Sequence, residues 1–453
     1  MTPHTEAVPA ANERATARAV DSPLVRGGLA IGAGIVAGNI LGFARVALTA
    51  YLLGTQHQAD ALAVAIGPLD TVNSLLTNSM VFAFVPMLTQ RQGAERTAFF
   101  LELNRFFSRL FFLTTACIVA FAPWLVRALA PGLDPAYYPV AANILRIAAF
   151  STTAAGAAAI HSALLYTDRR FLPSAFYQAS LNICTIACAL GVWKALGVYG
   201  FAIGYTAGAW LQFGIVYFAA RSPLSLKGLS PSVSSWKELI TRPGSFLLYA
   251  GLVALNITIT RAYATHAGPG MAAALEYCMR CIGVPLAFLV MPVTSSLLPE
   301  IARLRSSGML SQARRLIDRT VVLTALAAVA ACLIGIAIRH PVIALLFERG
   351  SFTAESTLLV SAVFLGFVPS LIGWSLIEVM SRSLFAMDRI WLPLAASAVP
   401  VIVNLALTLA MHSQDPHFLG LGASVGLLAG FLVLFLAARA ERRPWGSAQH
   451  NLS

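Results

Sequence analysis

The chain has 453 residues and a formal net charge of +12; 58% of its residues are hydrophobic, 11% are charged, and its mean hydropathy is +0.75. Soluble domains carry about 25% charged residues, so this composition excludes a soluble globular protein and indicates an integral membrane protein. The apolar runs are also too long for a transmembrane β-barrel, whose strands have about 10 residues.

In chain order, the sequence begins with a polar segment rich in Ala and Pro, residues 1–26. We predict that it is a disordered cytoplasmic tail without a cleavable signal peptide. A membrane-spanning helix needs about 20 mainly apolar residues. Twelve stretches meet this requirement, so we predict an all-α integral membrane protein with about 12 transmembrane helices. The candidate spans are residues 27–52, 60–89, 110–130, 139–165, 173–193, 197–220, 244–266, 271–298, 319–346, 356–386, 390–411 and 418–438.

Lysines and arginines are distributed unevenly between the two sides of this predicted topology. With the N-terminus in the cytoplasm, 23 of the 31 basic residues fall in cytoplasmic tails and loops and four fall in outer loops. The positive-inside rule then predicts that both termini are cytoplasmic. The basic surface is expected to face anionic lipid headgroups, and nucleic acid is not an expected partner. The remaining four basic residues lie inside predicted spans: Arg45, Arg146, Arg261 and Arg280.

Three short motifs of the first half recur in the second half in the same order. The clearest pair is DRRFLP at 168–173 and DRIWLP at 388–393; segments 123–132 and 84–88 recur at similar offsets, at 341–350 and 297–301. The offsets predict a duplication of about 215 residues with six spans in each half. An even number of spans keeps the topology, so the halves are parallel repeats around a central cavity. We therefore predict a six-helix N-terminal lobe at 27–225, a cytoplasmic linker at 226–243, a six-helix C-terminal lobe at 244–438 and a cytoplasmic tail at 439–453.

Two of the intramembrane arginines occupy matching positions in the repeats. Arg45 lies in the apolar stretch NILGFARVALTAYLLG (39–54), and Arg261 follows it by 216 residues, in the first span of the second half. A charge at the centre of a spanning helix costs roughly 2.5–3.5 kcal/mol on insertion scales, and such charges face a bundle interior or a water-filled cavity. Because transporters built from repeats bind substrate at the repeat interface, Arg45 and Arg261 are predicted to line one cavity.

The second and eighth predicted spans carry further polar side chains. Asp70, Asn73 and Thr77 recur at helical spacing and share one face of the second span. Glu276 and Arg280 are four residues apart in the eighth span, so a structural pair between them is an alternative to substrate binding by Arg280. A guanidinium binds phosphate in a bidentate manner and stays charged. Since the sequence has no P-loop and no metal-binding motif, we predict a transporter for a substrate with an anionic head, without enzymatic activity, cofactor or metal ion.

Five blocks of the sequence are similar to one known family. They are LGFARVALTAYLLGTQHQADALAVA (41–65), AFVPMLTQ (83–90), EYCMRCIGVPLAFLVMPVTSSLLPEIARL (276–304), ALLFERGSFTAEST (344–357) and RSLFAMDRIWLP (382–393). These blocks resemble the MurJ/MviN family of lipid II flippases, within the multidrug/oligosaccharidyl-lipid/polysaccharide exporter superfamily, and the resemblance covers residues 30–438. It implies two six-helix lobes around a V-shaped cavity and transport of the undecaprenyl-pyrophosphate-linked peptidoglycan precursor. By motif match it implies that Arg45 and Arg280 engage the pyrophosphate and that Asp60 is the family's acid after the first turn.

The chain departs from the family pattern at several positions. The family usually has arginine in place of Asn39, aspartate in place of Val46, and a basic pair followed by E-G-A in place of VNSLLTNSM (72–80). It usually has fourteen helices, and the sodium site of some members has no acidic counterpart in the seventh or eleventh span of this chain. These departures indicate a divergent member, in which we hypothesise that Arg261 replaces a lost arginine.

We therefore predict a flippase of the bacterial inner membrane that moves a polyprenyl-pyrophosphate-linked glycan by alternating access. Its predicted partners are that lipid-linked oligosaccharide, membrane lipids and proteins of cell-envelope glycan synthesis. The alternatives are a flippase for another surface-polysaccharide repeat unit, a cation-coupled small-molecule exporter, a membrane-bound glycan transferase, and a scaffold for a polysaccharide-synthesis complex. The predicted substrate-binding residues are Arg45, Asp60, Asp70, Asn73, Thr77, Arg261 and Arg280.

Overall fold

A computed structural model of the chain describes residues 23–220, 236–387, 389, 391–411 and 415–440. Parts of the predicted tails and linker and two residues of the second repeat motif lie outside the described residues: 1–22, 226–235, 441–453, Asp388 and Ile390. Within the described ranges all regular secondary structure is helical, and no strand is present.

The described residues form fifteen α-helices and two single turns of 3-10 helix, at Pro135–Tyr137 and Pro416–Phe418. In chain order the α-helices are α1 (Pro23–Leu53), α2 (His57–Thr89), α3 (Gly93–Leu129), α4 (Tyr138–Thr167), α5 (Leu172–Ala175), α6 (Tyr177–Leu196), α7 (Tyr199–Ala220), α8 (Trp236–Ala267), α9 (Met271–Ser306), α10 (Leu310–Phe347), α11 (Ala354–Phe367), α12 (Ser370–Ala386), α13 (Trp391–Ala396), α14 (Ala398–Met411) and α15 (Leu421–Ala440).

Helix covers each of the twelve predicted spans. Among the described residues, ten helical segments are long and apolar enough to cross a membrane, and α11 with α12 forms a further span bent by 45°. The bend falls at Pro369, which has no backbone N–H and so cannot continue the helical hydrogen bonds. Helix α8 is not among these segments; the span predicted at 244–266 lies within this helix and stays a prediction. The prediction of an all-α integral membrane protein is confirmed. The predicted number of twelve membrane-spanning helices is not confirmed.

The chain divides into two compact units. The first unit comprises Met1–Arg45, Leu76–Cys117 and Ile147–Pro243. Its core is rich in phenylalanine. On α3, Phe99, Leu103, Phe107 and Phe111 recur every four residues and form one buried apolar stripe. This stripe packs with buried residues of α2, α4 and α7, and the burial of these large side chains stabilises the unit.

The second unit comprises Val46–Leu75, Ile118–Arg146 and Gly244–Ser453. Its core contains Ile301 of α9, Ile317 of α10, Val379 and Leu384 of α12, and Leu434 of α15. Two segments of the predicted N-terminal lobe thus belong to the same compact unit as the predicted C-terminal lobe. The predicted division into lobes at 27–225 and 244–438 stays a prediction.

Candidate substrate-binding site

The first turn of α2 carries the predicted site residue Asp60, which is only 3% exposed. Its Oδ2 accepts a hydrogen bond from the backbone N–H of Gly270 at 2.6 Å, and its Oδ1 accepts one from Ala273 at 2.9 Å. Gly270 is the N-cap of α9. The first N–H groups of a helix lack partners within that helix, and a negative charge is favourable beside them. Asp60 therefore caps α9 from a different helix of the second unit.

Glycine is required at the start of α9. Gly270 has a φ of +79°, a conformation that L side chains rarely adopt. A Cβ at this position would also lie 2.3 Å from the carbonyl oxygen of Thr55. The close approach of the α1–α2 turn to α9 thus depends on the absence of a side chain.

The turn between α1 and α2 makes further hydrogen bonds inside the second unit. The Tyr277 hydroxyl donates to the Gly54 carbonyl at 2.6 Å, the Ser351 N–H donates to the Tyr51 carbonyl at 2.8 Å, and the hydroxyls of Thr55 and Ser356 lie 2.8 Å apart. We call these contacts, together with those of Asp60, the hairpin clamp. The clamp fixes residues 51–60 to α9 and to the segment that leads into α11.

Arg261 of α8 is 5% exposed and makes its polar contacts with two other helices of the second unit. Its Nε donates to Oε1 of Glu276 on α9, and its Nη1 lies 3.4 Å from Oγ1 of Thr71 on α2. Gly67, one turn before Thr71, leaves room for this pair. A Cβ at Gly67 would lie 2.7 Å from Glu276 Oε1 and 2.9 Å from Arg261 Cζ. We call Gly67, Thr71, Arg261 and Glu276 the Arg261 knot.

The Arg261 knot shows how one of the intramembrane arginines is accommodated. A buried charge is tolerated when it is paired and hydrogen-bonded, because the partner offsets part of the loss of hydration. Glu276 supplies the counter-charge to Arg261. The sequence suggested Arg280 as the partner of Glu276, whereas the ion pair in the structure joins two different helices.

The other predicted site residues are distributed over both units. Arg280 on α9 and Asp70 on α2 are half-buried, and Asn73 on α2 is 1% exposed; these three belong to the second unit. Arg45 on α1 and Thr77 on α2 are half-buried and belong to the first unit. The prediction that Arg45 and Arg261 line one cavity therefore stays a prediction, as does substrate binding by the set.

Sequence reasoning missed Gly67, Thr71 and Gly270 as neighbours of the predicted residues, and it offered Arg280 rather than Arg261 as the partner of Glu276. The segment HAGPGM (266–271) contains a clear turn signal, which predicts the break before α9. It contains no signal that Asp60, 210 residues away, caps the helix. Likewise, the repeat spacing pointed to Arg261 but not to the residues that surround it.

Comparison with solved structures defines the class of protein. The structure of "Lipid II flippase MurJ, inward closed conformation" matches with a TM-score of 0.80 and 19% identity, covering 90% of this chain and 87% of that one. The inward-facing conformation of a multidrug resistance MATE family transporter of the MOP superfamily matches with a TM-score of 0.77 and 12% identity, covering 88% and 94%. At these identities the likeness shows the fold alone, which is a multi-pass helical membrane fold.

The family within this class follows from the sequence. The family model described as "Lipid II flippase MurJ" matches residues 49–449, well over half of the chain. The chain belongs to the lipid II flippase MurJ family. A curated relative, the "Probable lipid II flippase MurJ" of Rhizobium meliloti (strain 1021), is 27% identical over 446 residues, which cover 93% of this chain and 82% of the relative. The predicted family is confirmed, and the chain is a multi-pass inner-membrane transporter rather than an enzyme.

Proposed function

We propose that this chain translocates lipid II, a peptidoglycan precursor linked to polyprenyl pyrophosphate, across the bacterial inner membrane. The observation that carries this proposal is the family match over residues 49–449. The helical multi-pass fold, with ten candidate spans and one bent pair among the described residues, suits a transporter. A polyprenyl-linked glycan and membrane lipids are accordingly its partners, and proteins of cell-envelope glycan synthesis are proposed as further ones.

Two arginines are proposed to bind the pyrophosphate. Arg45 and Arg280 lie in the candidate spans Gly32–Leu53 and Met271–Val290, and both are half-buried rather than enclosed. A guanidinium remains charged inside a membrane and presents a planar fork of donors to phosphate oxygens. Intramembrane charges typically mark a substrate pathway, and this supports a role for both residues in transport.

The remaining predicted residues receive separate roles in the proposal. Asp70, Asn73 and Thr77 share one face of α2. Asp70 and Thr77, which are half-buried, are proposed to contact the sugar head through their carboxylate and hydroxyl groups, and Asn73, which is 1% exposed, is proposed to belong to the same site behind them. Asp60 and Arg261 already use their polar atoms inside the protein. We therefore propose that these two act by positioning helices around the substrate rather than by contacting it.

The hairpin clamp is proposed to act as a gate contact during alternating access. Transporters built from repeats move one part of the molecule against another around a fixed site. Separation of residues 51–60 from α9 would require the two hydrogen bonds of Asp60 and the bond between Tyr277 and Gly54 to break. With both termini in the cytoplasm, as the basic residues predict, this clamp lies on the outer side of the membrane.

The alternatives are less well supported than lipid II. A cation-coupled small-molecule exporter shares the fold, since the MATE transporter matches with a TM-score of 0.77, but that likeness extends only to the fold. The family match favours lipid II over another surface-polysaccharide unit and over a small-molecule exporter.

The proposal is tested by rescue of a bacterium depleted of its own lipid II flippase. We expect the wild-type chain to restore growth, and Arg45→Ala and Arg280→Ala each to abolish rescue while leaving membrane abundance unchanged. Arg127→Ala is the matched control, because Arg127 is an exposed arginine in the last turn of α3 and belongs neither to the predicted site nor to the hairpin clamp. Growth and immunoblots of the membrane fraction are the two measurements.

The same experiment separates the remaining possibilities. Full rescue by both arginine variants would show that binding and transport of the pyrophosphate-linked substrate do not require Arg45 or Arg280. Failure of the wild-type chain, with protein present in the membrane, would indicate a different lipid-linked glycan or a scaffold role.

A further inference from the structure

A groove with a volume of about 580 Å³ lies between α9 and α10, within the second unit. Phe288 and Leu297 line it on the α9 side, and Leu316, Leu323 and Ala327 line it on the α10 side. Phe288 is 78% exposed and Leu323 is 57% exposed, so the apolar lining is open to the surroundings of the helices.

One end of the groove carries polar and charged residues. Glu300 and Thr320 line the groove at this end, where α9 and α10 approach the loop that joins them. The segment from residue 303 to residue 319 contains five arginines, of which four are exposed: Arg303, Arg314, Arg315 and Arg319. The groove therefore runs from an apolar region between two helices to a basic end.

The two acids near this end do not neutralise the cluster. Glu300 binds Arg303, with Oε2 at 2.9 Å from Nε and Oε1 at 2.6 Å from Nη2. Asp318 lies 3.3 Å from Arg439, at the end of α15, which brings a further arginine to the region. Each acid is thus matched by one arginine, and a net positive charge remains.

We propose that this groove is a binding site for an anionic glycerophospholipid. One acyl chain lies along the apolar lining between α9 and α10. The phosphate of the headgroup lies at Arg315 and Arg319, two exposed arginines of α10, since Glu300 and Asp318 bind Arg303 and Arg439. Clusters of four to eight basic residues next to a transmembrane helix are typical of anionic-lipid binding, and basic pockets between helices bind anionic headgroups. The combination of an apolar groove and a basic end matches the two parts of such a lipid.

Binding is measured on the full-length chain in detergent by native mass spectrometry, with phosphatidylglycerol and phosphatidylcholine of the same acyl chains at equal concentration. We expect preferential retention of phosphatidylglycerol. Arg315→Gln combined with Arg319→Gln should weaken that binding by about 5-fold for each arginine. Arg349→Gln, two residues beyond the other end of α10, should leave binding unchanged.

The groove itself is tested by filling it. Ala327→Trp should lower the binding of both lipids, whereas Val329→Trp, at an exposed position of the same helix that does not line the groove, should have no effect. Phe288→Ala provides a second groove variant, because this side chain is largely exposed and its truncation leaves the core intact.

Each outcome decides one part of the proposal. Equal binding of the two lipids, or no effect of the paired arginine substitution, would overturn the anionic headgroup site. Unchanged binding in both Ala327→Trp and Phe288→Ala would overturn the acyl-chain groove. None of these readouts depends on lipid II transport, so they stand apart from the rescue experiment.

Discussion

Arg261 carries a positive charge at a position that is 5% exposed, and its neighbours account for its presence there. Its Nε and Nη1 face Glu276 and Thr71, so two of its three nitrogens are directed at groups of the protein. Removing one partner of a buried ion pair leaves an uncompensated charge, which is more destabilising than removing both. At the residue scale, Arg261 therefore stabilises the junction of α2, α8 and α9.

We predict that Arg261→Ala lowers the free energy of unfolding by about 3 kcal/mol, at the low end of the range for breaking buried pairs because Glu276 is partly exposed. The double variant Arg261→Met/Glu276→Met removes both charges and should recover most of that loss. Thermal unfolding of the purified chain in detergent measures both effects.

An equal loss in the single and double variants would contradict the ion-pair role. A double variant that is as stable as the wild type but fails in the rescue assay would indicate that the Arg261–Glu276 pair also has a direct role in transport. Comparing the stability and the rescue activity of these variants therefore separates two roles of Arg261. One is its contribution to stability, and the other is the substrate binding that was predicted from the sequence.

At the element scale, the N-terminus of α9 depends on a residue from another helix. Helices usually take their N-cap from the residue just before them, but Gly270 has no side chain to offer. Asp60 replaces that cap and accepts from two N–H groups of α9. The start of α9 and the first turn of α2 are consequently stabilised by the same side chain.

We predict that Asp60→Ala costs about 1–3 kcal/mol in the free energy of unfolding, because it leaves two buried N–H groups without their acceptor. Asp60→Asn keeps one acceptor oxygen and should cost less. Faster amide hydrogen exchange at Gly270 and Ala273, together with thermal unfolding, measures the effect.

Asp415→Ala is the control for this prediction. Asp415 caps the 3-10 turn Pro416–Phe418 by accepting from the His417 N–H at 2.9 Å, in an exposed position. Loss of an exposed cap should have the smaller effect, since water replaces the acceptor. Unchanged exchange at Gly270 in Asp60→Ala would show that the cap does not hold α9.

At the scale of the whole molecule, the distribution of basic residues predicts the orientation in the membrane. With 23 basic residues assigned to one side and four to the other, both termini are expected in the cytoplasm. A fluorescent protein fused to the C-terminus should therefore fluoresce, and alkaline phosphatase fused there should be inactive. The opposite pair of results would reverse the topology and place the hairpin clamp on the inner side.

Composition and periodicity alone were sufficient for the class of this protein. A chain with 11% charged residues and long apolar runs cannot form a soluble domain, and helix is the element whose backbone groups are all satisfied within one span. The positions of the spans followed because each span has its own local hydropathy. The helix ends did not: α3 begins at Gly93 and α10 at Leu310, well before the predicted spans at 110 and 319, because these helices extend through polar residues beyond the apolar run. The motif blocks likewise pointed to the family that the comparisons then showed.

The contacts that the predicted site residues make could not be predicted from the sequence, because they depend on the tertiary structure. Asp60 and Gly270 are 210 residues apart, and Thr71 and Arg261 are 190 residues apart. Local sequence patterns report the conformation of neighbouring residues, whereas these contacts arise only when distant helices pack and their buried polar groups must find partners. The amino-acid sequence was enough to show that charged residues lie inside the membrane-spanning helices. The partner of the buried Arg261 charge depends on the packing of α2, α8 and α9, because a buried charge is stabilised by whatever group lies within hydrogen-bonding distance.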